Sequence, residues 1–150
     1  MKRIESWLSV ALDEIEKFEN ETLTKRMFGS CGADCARKSG IINLVDKTKA
    51  EIQNLNTLEE IVEVIDKNFQ GSFTKIDGGF IIEYGPWDCD CEIVRDNNIK
   101  SHVFCNCTAG FHEYIWGCLF NKKVKVDILE TVLRGSKICK LKVMINESCI

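Results

Sequence analysis

The chain has 150 residues, 45% hydrophobic and 29% charged, with a formal net charge of −3. That length buries a core without covalent staples and the composition is that of a soluble globular protein, which predicts a single domain over residues 1–150 and excludes a disordered chain. The acidic balance, with lysines and arginines scattered apart from Lys122, Lys123 and Lys125, argues against nucleic acid as the main partner.

Taken in chain order, Ile4, Trp7, Leu8, Leu12, Ile15 and Phe18 recur at three- and four-residue steps, with Glu5, Asp13, Glu16 and Lys17 between them. This is the pattern of an amphipathic helix. The same acids interrupt any apolar run, so the N-terminus does not read as a signal peptide, and no stretch approaches the roughly 18 apolar residues of a spanning helix. A soluble cytoplasmic protein with no membrane partner is expected. The glycines of "FGSCGADC" are expected to break the helical pattern, and a second helix is predicted from about Ala33 to Leu55. Thr57 with Glu60 three positions on reads as a capping box, followed by Leu58, Ile61, Val62, Ile65 and Phe69 on one face.

After Gly71 the period changes to two. "SFTKI" and "FIIEY" flank Asp77-Gly78-Gly79, a hairpin signal. "GPW" ends the strand and "CDCEIV" reads as a further extended run. A helix is predicted over Ala109–Phe120, then strands in "KVKVDILETV" and "KICKLKVMI". Helices first and sheet afterwards predict an α+β fold, with N-terminal helices (residues 1–70) packed on a twisted, mostly antiparallel sheet (residues 71–150) carrying one inserted helix.

The chemistry lies in the nine cysteines. In a reducing compartment they are thiols, metal ligands or redox groups, and an odd number forbids complete pairing within one chain. Cys89/Cys91 and Cys105/Cys107 form two Cys-x-Cys steps. On a strand, residues two apart share a face about 7 Å apart, so each step aims two sulfurs the same way. Four converging thiolates suit zinc or an iron–sulfur cluster. Cys31 and Cys35, an i, i+4 pair, add two more candidates from one helix face. The competing reading is packing, because free cysteine is a small and often buried hydrophobe, and Cys118, Cys139 and Cys149 taken alone fit it.

Cys107 also precedes a helix start, where the dipole and free N–H groups favour a thiolate. A nucleophile at Cys107 with His112 or His102 as its base is therefore a second reading, with Glu113 and Glu130 as the nearby acids. The aromatics Tyr84, Trp87, Phe104, Phe111, Tyr114 and Trp116 either line an apolar ligand pocket or fill the core between sheet and helices.

From Cys105 onward, "CNCTAGFHEYIWGCLFNKKVKVDILETVLRGSKICKLKV" resembles the C-terminal half of the 4-vinyl reductase-type domains, through Gly110-Phe111, Glu130, and Gly135 with Cys139. The paired Cys-x-Cys motifs look closer still to a group of bacterial proteins with the same ending. The resemblance implies a fold shared with haem-nitric-oxide sensor domains and Golgi transport-complex subunits, enclosing a pocket for a hydrophobic small molecule and admitting a homodimer. In phenol-sensing relatives a zinc site beside that pocket uses cysteines and a glutamate. Cys105 and Cys139 match two of its positions, whereas Ile128 and Thr131 stand where the glutamate and a further cysteine are expected. The implied metal set is then Cys105 and Cys139, completed from Cys89, Cys91, Cys107, Cys31 and Cys35 at one site. The resulting expectation is a cytoplasmic domain binding a hydrophobic ligand, with a cysteine-rich zinc site or, alternatively, an iron–sulfur cluster. A thiol-dependent hydrolase or redox protein using Cys107 or Cys31/Cys35, and a structural domain with buried thiols, are the alternatives.

Overall fold

The N-terminal apolar steps form a helix, α1 (Arg3–Lys17), in a computed structural model that describes residues 3–18, 20–86, 89 and 91–146. There follow α2 (Glu21–Lys38), α3 (Ile41–Ile52), α4 (Leu58–Asn68), β1 (Ser72–Ile76), β2 (Gly79–Tyr84), α5 (Glu92–Asp96), α6 (Asn106–Phe120), β3 (Val124–Glu130) and β4 (Cys139–Ile145). Short 3-10 turns at His102–Cys105 and Val132–Arg134 lead into α6 and out of β3. The four strands lie in the order β1-β2-β4-β3, every neighbouring pair antiparallel. This is the expected α+β architecture.

Local signals hold where they were strongest. The Thr57 hydroxyl accepts from the Glu60 N–H at 3.3 Å while the Glu60 carboxylate accepts from the Thr57 N–H at 3.1 Å, the reciprocal capping box that starts α4. Gly78 takes a left-handed φ of +71° between β1 and β2, the conformation a tight hairpin requires of its glycine.

Three expectations fail. The stretch 33–55 is not one helix: Ser39 turns extended, its N–H bonding back to Cys35 and Ala36, and α3 begins anew after Gly40. The glycines of "FGSCGADC" do not break α2, which runs through both Gly29 and Gly32. Their role is set by α6. A Cβ on Gly32 would stand 1.8 Å from the Cys107 carbonyl oxygen, and one on Gly110 would stand 2.0 Å from the Gly29 carbonyl oxygen, so the two helices touch backbone to backbone. "CDCEIV" is likewise not a strand. Cys91 precedes α5, whose first closing bond runs from the Arg95 N–H to the Cys91 carbonyl at 3.0 Å, while Val94 is buried against α1 and α2 residues.

The main core lies between the sheet and helices α3, α4 and α6. Phe80, Ile82, Leu141, Val143 and Val126 face Ile65, Val45, Ile115 and Trp116. Trp116 is fully buried, with the rings of Phe69 at 4.9 Å and Phe80 at 5.3 Å set edge-on to it. Burying such side chains contributes about 1.5–3 kcal/mol each. A second, smaller core of Leu12, Phe28, Val94, Ile99 and Val103 sits beneath α1, and Cys89, Cys91 and Cys107 pack against it.

Candidate functional site: two groups of thiols

The turn that delivers the second Cys-x-Cys step is helical. Cys105 has φ −61° and ψ −20°, Asn106 continues in the α region, and α6 follows. Residues two apart on a helix are about 200° apart around the axis. Cys105 and Cys107 therefore point to opposite sides, and the expectation that each step aims two sulfurs the same way is overturned.

The consequence is two groups of thiols in place of one. On one side, Cys107 is raised to about 12, first by burial and then by the neighbouring Cys35, Cys91, Cys31 and Cys105 thiols. Helix α2 supplies Cys31 and Cys35, both exposed, and Cys91 at the start of α5 is half-buried. On the other side, burial raises the Cys105 thiol, the Thr131 hydroxyl hydrogen-bonds it and favours the thiolate, and Cys139 and Cys89 are near enough to oppose that. Cys139 is the cross-strand partner of Tyr84. All eight described cysteines are free thiols. Among the described residues no three His, Cys, Asp or Glu side chains are already gathered at metal-holding geometry.

The two groups differ as donor sets. Cys31, Cys35, Cys91 and Cys107 offer four thiols from three elements, the complement of a tetrahedral zinc site. Cys105, Cys139 and Cys89 offer three, with a neutral Thr131 hydroxyl where a fourth anionic ligand belongs. The zinc pattern implied by the resemblance thus finds its Cys105 and Cys139 as neighbours but not a full shell.

The nucleophile and base are not brought together. Five positions apart on α6, Cys107 and His112 are about 140° apart around its axis. His112 is buried in the core, where burial holds it down at about 4. The Trp116 indole N–H donates to its Nδ1 at 3.1 Å; an indole can only donate, so the proton of the neutral ring is on Nε2, 3.4 Å from the Tyr84 hydroxyl. His102 instead pairs with Glu16, Nδ1 to Oε1 at 3.1 Å. Glu113 accepts from the Val126 N–H at 3.1 Å on β3, and Glu130 lies by Ser136 at the β-bulge of that strand.

The aromatics divide in the same way. Trp116 fills the main core, with Tyr84, Phe111 and Tyr114 half-buried around it. Phe104 belongs to the smaller core, its ring 5.9 Å from Phe28. Trp87 lies outside the described residues, as does Cys149. Arg134, which no sequence motif singles out, stands on a 3-10 turn whose Thr131 hydroxyl accepts from the Arg134 N–H at 3.2 Å. Its signal, a threonine three residues before an arginine and a glycine, is legible only once the strand end is known.

Among the described residues, no helix is long and apolar enough to cross a membrane. The family of unknown function DUF6144 matches residues 2–150. No curated protein matches the chain. Among solved structures, the fold is similar to that of trafficking protein particle complex subunit 3 from Naegleria fowleri, whose crystal structure is covalently bound to palmitic acid. The two share 11% identity with a TM-score of 0.51, over 95% of this chain and 92% of that one. This likeness shows the fold alone, the transport-complex-like fold that the resemblance implied.

Proposed function

Because the chain belongs to DUF6144, a family of unknown function, its chemistry rests on its own side chains, and we propose that it is a ligand-binding domain whose Cys31, Cys35, Cys91 and Cys107 hold one zinc ion. The observation that carries this reading is the surroundings of Cys107, where burial and the thiols of Cys35, Cys91, Cys31 and Cys105 oppose ionisation. A divalent cation reverses that balance, because thiols lose their protons on coordination. Rotation about χ1 of the exposed Cys31 and Cys35 closes the shell around Cys107 and Cys91. The ion then ties α2, α5 and α6 together at the edge of the smaller core. Reduced thiols are a condition of such a site, and a reducing compartment such as the cytoplasm meets it. An iron–sulfur cluster on the same thiols is distinguished by its visible absorption.

Elemental analysis of reduced protein, purified without oxygen, tests the proposal. About one zinc per chain is expected, lost in Cys107→Ser and Cys35→Ser and kept in Cys118→Ser. Protein that stays metal-free after incubation with zinc under reducing conditions sinks it.

A second reading, an apolar ligand, is favoured by the palmitic acid on the structural neighbour and by the smaller core, where Leu8 and Ile15 of α1 pack with Phe28 and Phe104. The motif likeness to 4-vinyl reductase-type domains supports the same class of ligand. Displacement of a fluorescent fatty acid by palmitic acid tests it, and Leu12→Asp in that core abolishes such binding if the site is there.

A further inference from the structure

We propose that the cleft between α1, the start of α2 and the two 3-10 turns binds a small amino-carboxylic acid, with Arg134 taking the carboxylate and Glu16 and Glu21 facing the ammonium group. The cleft is a cavity of about 380 Å³, within the range of small-molecule sites. Its wall is assembled from segments far apart in the chain: Glu16 from α1, Glu21 from α2, His102 from the first turn, Asn106 from α6 and Arg134 from the second turn.

The charges on that wall are of both signs, and the carboxylate of Glu21 is paired with Lys25 at 2.8 Å. Glu16 is positioned by two contacts, accepting from the Ser101 hydroxyl at 2.7 Å and meeting His102 Nδ1 at 3.1 Å. Each carboxylate oxygen keeps a further lone pair for a donor. Arg134 is mounted on a turn closed by the Gly135 N–H to the Val132 carbonyl at 3.0 Å and the Ser136 N–H to the Thr131 carbonyl at 3.1 Å. Among the described residues no carboxylate lies within ion-pair distance of its guanidinium, although Glu21 feels its charge. A guanidinium so placed presents a planar fork to a ligand carboxylate.

The mixed wall selects by repulsion as well as attraction. A simple carboxylic acid meets Glu16 and Glu21, a simple amine meets Arg134, and an apolar molecule leaves Arg134 without a partner, Glu16 and Glu21 being held by Ser101, His102 and Lys25. A zwitterion satisfies both ends. None of the proposed zinc ligands lines the cleft, so this reading stands or falls separately from the metal.

Binding is read on the full-length reduced protein by saturation-transfer NMR, with free L-amino acids, acetate and methylammonium each at about 1 mM. At least one amino acid is expected to bind while acetate and methylammonium do not. Arg134→Gln then weakens that binding by roughly tenfold or more, the loss of a charge-assisted contact, with unchanged melting temperature because Arg134 is exposed. Glu16→Gln weakens it in the same sense. No binding by any amino acid, equal binding by acetate alone, or an Arg134→Gln variant that binds as the wild type does overturns the proposal.

Discussion

Replacing Gly32 with alanine tests the packing on which the first thiol group depends. The added Cβ would lie 1.8 Å from the Cys107 carbonyl oxygen and 2.7 Å from the Phe111 nitrogen, both main-chain atoms. Neither can rotate away, so α2 and α6 have to part by about 1.5 Å to restore ordinary contact at 3.4 Å. A gap of about 0.5–1 Å already forfeits a quarter to a half of each dispersion contact lining it. Overpacking that side chains absorb costs about 1–3 kcal/mol, and here only backbone can yield, which puts the cost at the upper end. The better helix propensity of alanine offsets about 1 kcal/mol. A net loss of about 2 kcal/mol is expected, which lowers the melting temperature by roughly 4–8 °C for a chain of this size.

The assay is thermal and urea unfolding followed by circular dichroism, beside Gly40→Ala as the control. A Cβ at Gly40 meets nothing within 4 Å, and its φ of −67° suits any residue, so that variant stays within about 1 kcal/mol of wild type. Zinc affinity should fall along with stability in Gly32→Ala, because the separation takes Cys31 and Cys35 away from Cys107. A Gly32→Ala protein that melts with the wild type, or a Gly40→Ala protein equally destabilised, refutes the close crossing.

The pH response isolates His112. Its folded pKa, held at about 4 by burial, lies below the ordinary value of 6.5. Between those values the unfolded chain takes up a proton that the folded one refuses, so this contribution is fully present above pH 6.5 and is lost as pH falls toward 4, by on the order of 3 kcal/mol. Urea titrations at about pH 5 and pH 7 should show this slope in the wild type and a flatter one in His112→Gln; equal slopes refute the assignment. With iodoacetamide, mass mapping should find Cys31 and Cys35 modified well before Cys107, whose raised pKa leaves almost no thiolate at neutral pH. Fast labelling of Cys107 contradicts that neighbourhood. Thr57→Ala removes the capping box and should cost about 1 kcal/mol, a shift of a few degrees in the same unfolding assay.

What was legible in the sequence was local. The capping box at Thr57, the Asp77-Gly78-Gly79 hairpin and the apolar steps of α1 each depend on residues within one or two turns of chain. Gly29 and Gly32 were misread because their reason is α6, about seventy-five residues further on. An isolated glycine pair does not show whether it breaks a helix or admits a neighbour. The Cys-x-Cys steps were assigned a period of two by analogy with strands, yet no sheet edge receives residues 89–94, and burial of Val94 draws them into α5. The candidate ligands were legible as cysteines, but their division into two groups was not, since it follows from the backbone of Cys105 alone.

That division gives the first turn of α6 a mechanical character. Cys105 and Cys107 are fixed to opposite sides of one rigid rod, so a rotation of the rod is recorded on its two flanks with opposite sign. A turn that carries Cys107 outward toward Cys31 and Cys35 swings Cys105 inward, against the Thr131 hydroxyl on which the turn bearing Arg134 is built. The backbone contact at Gly29 and Gly110 acts as the bearing for that rod. At Gly32 and Gly110 no side chain separates the helices, so a shift of α6 meets the backbone of α2 directly.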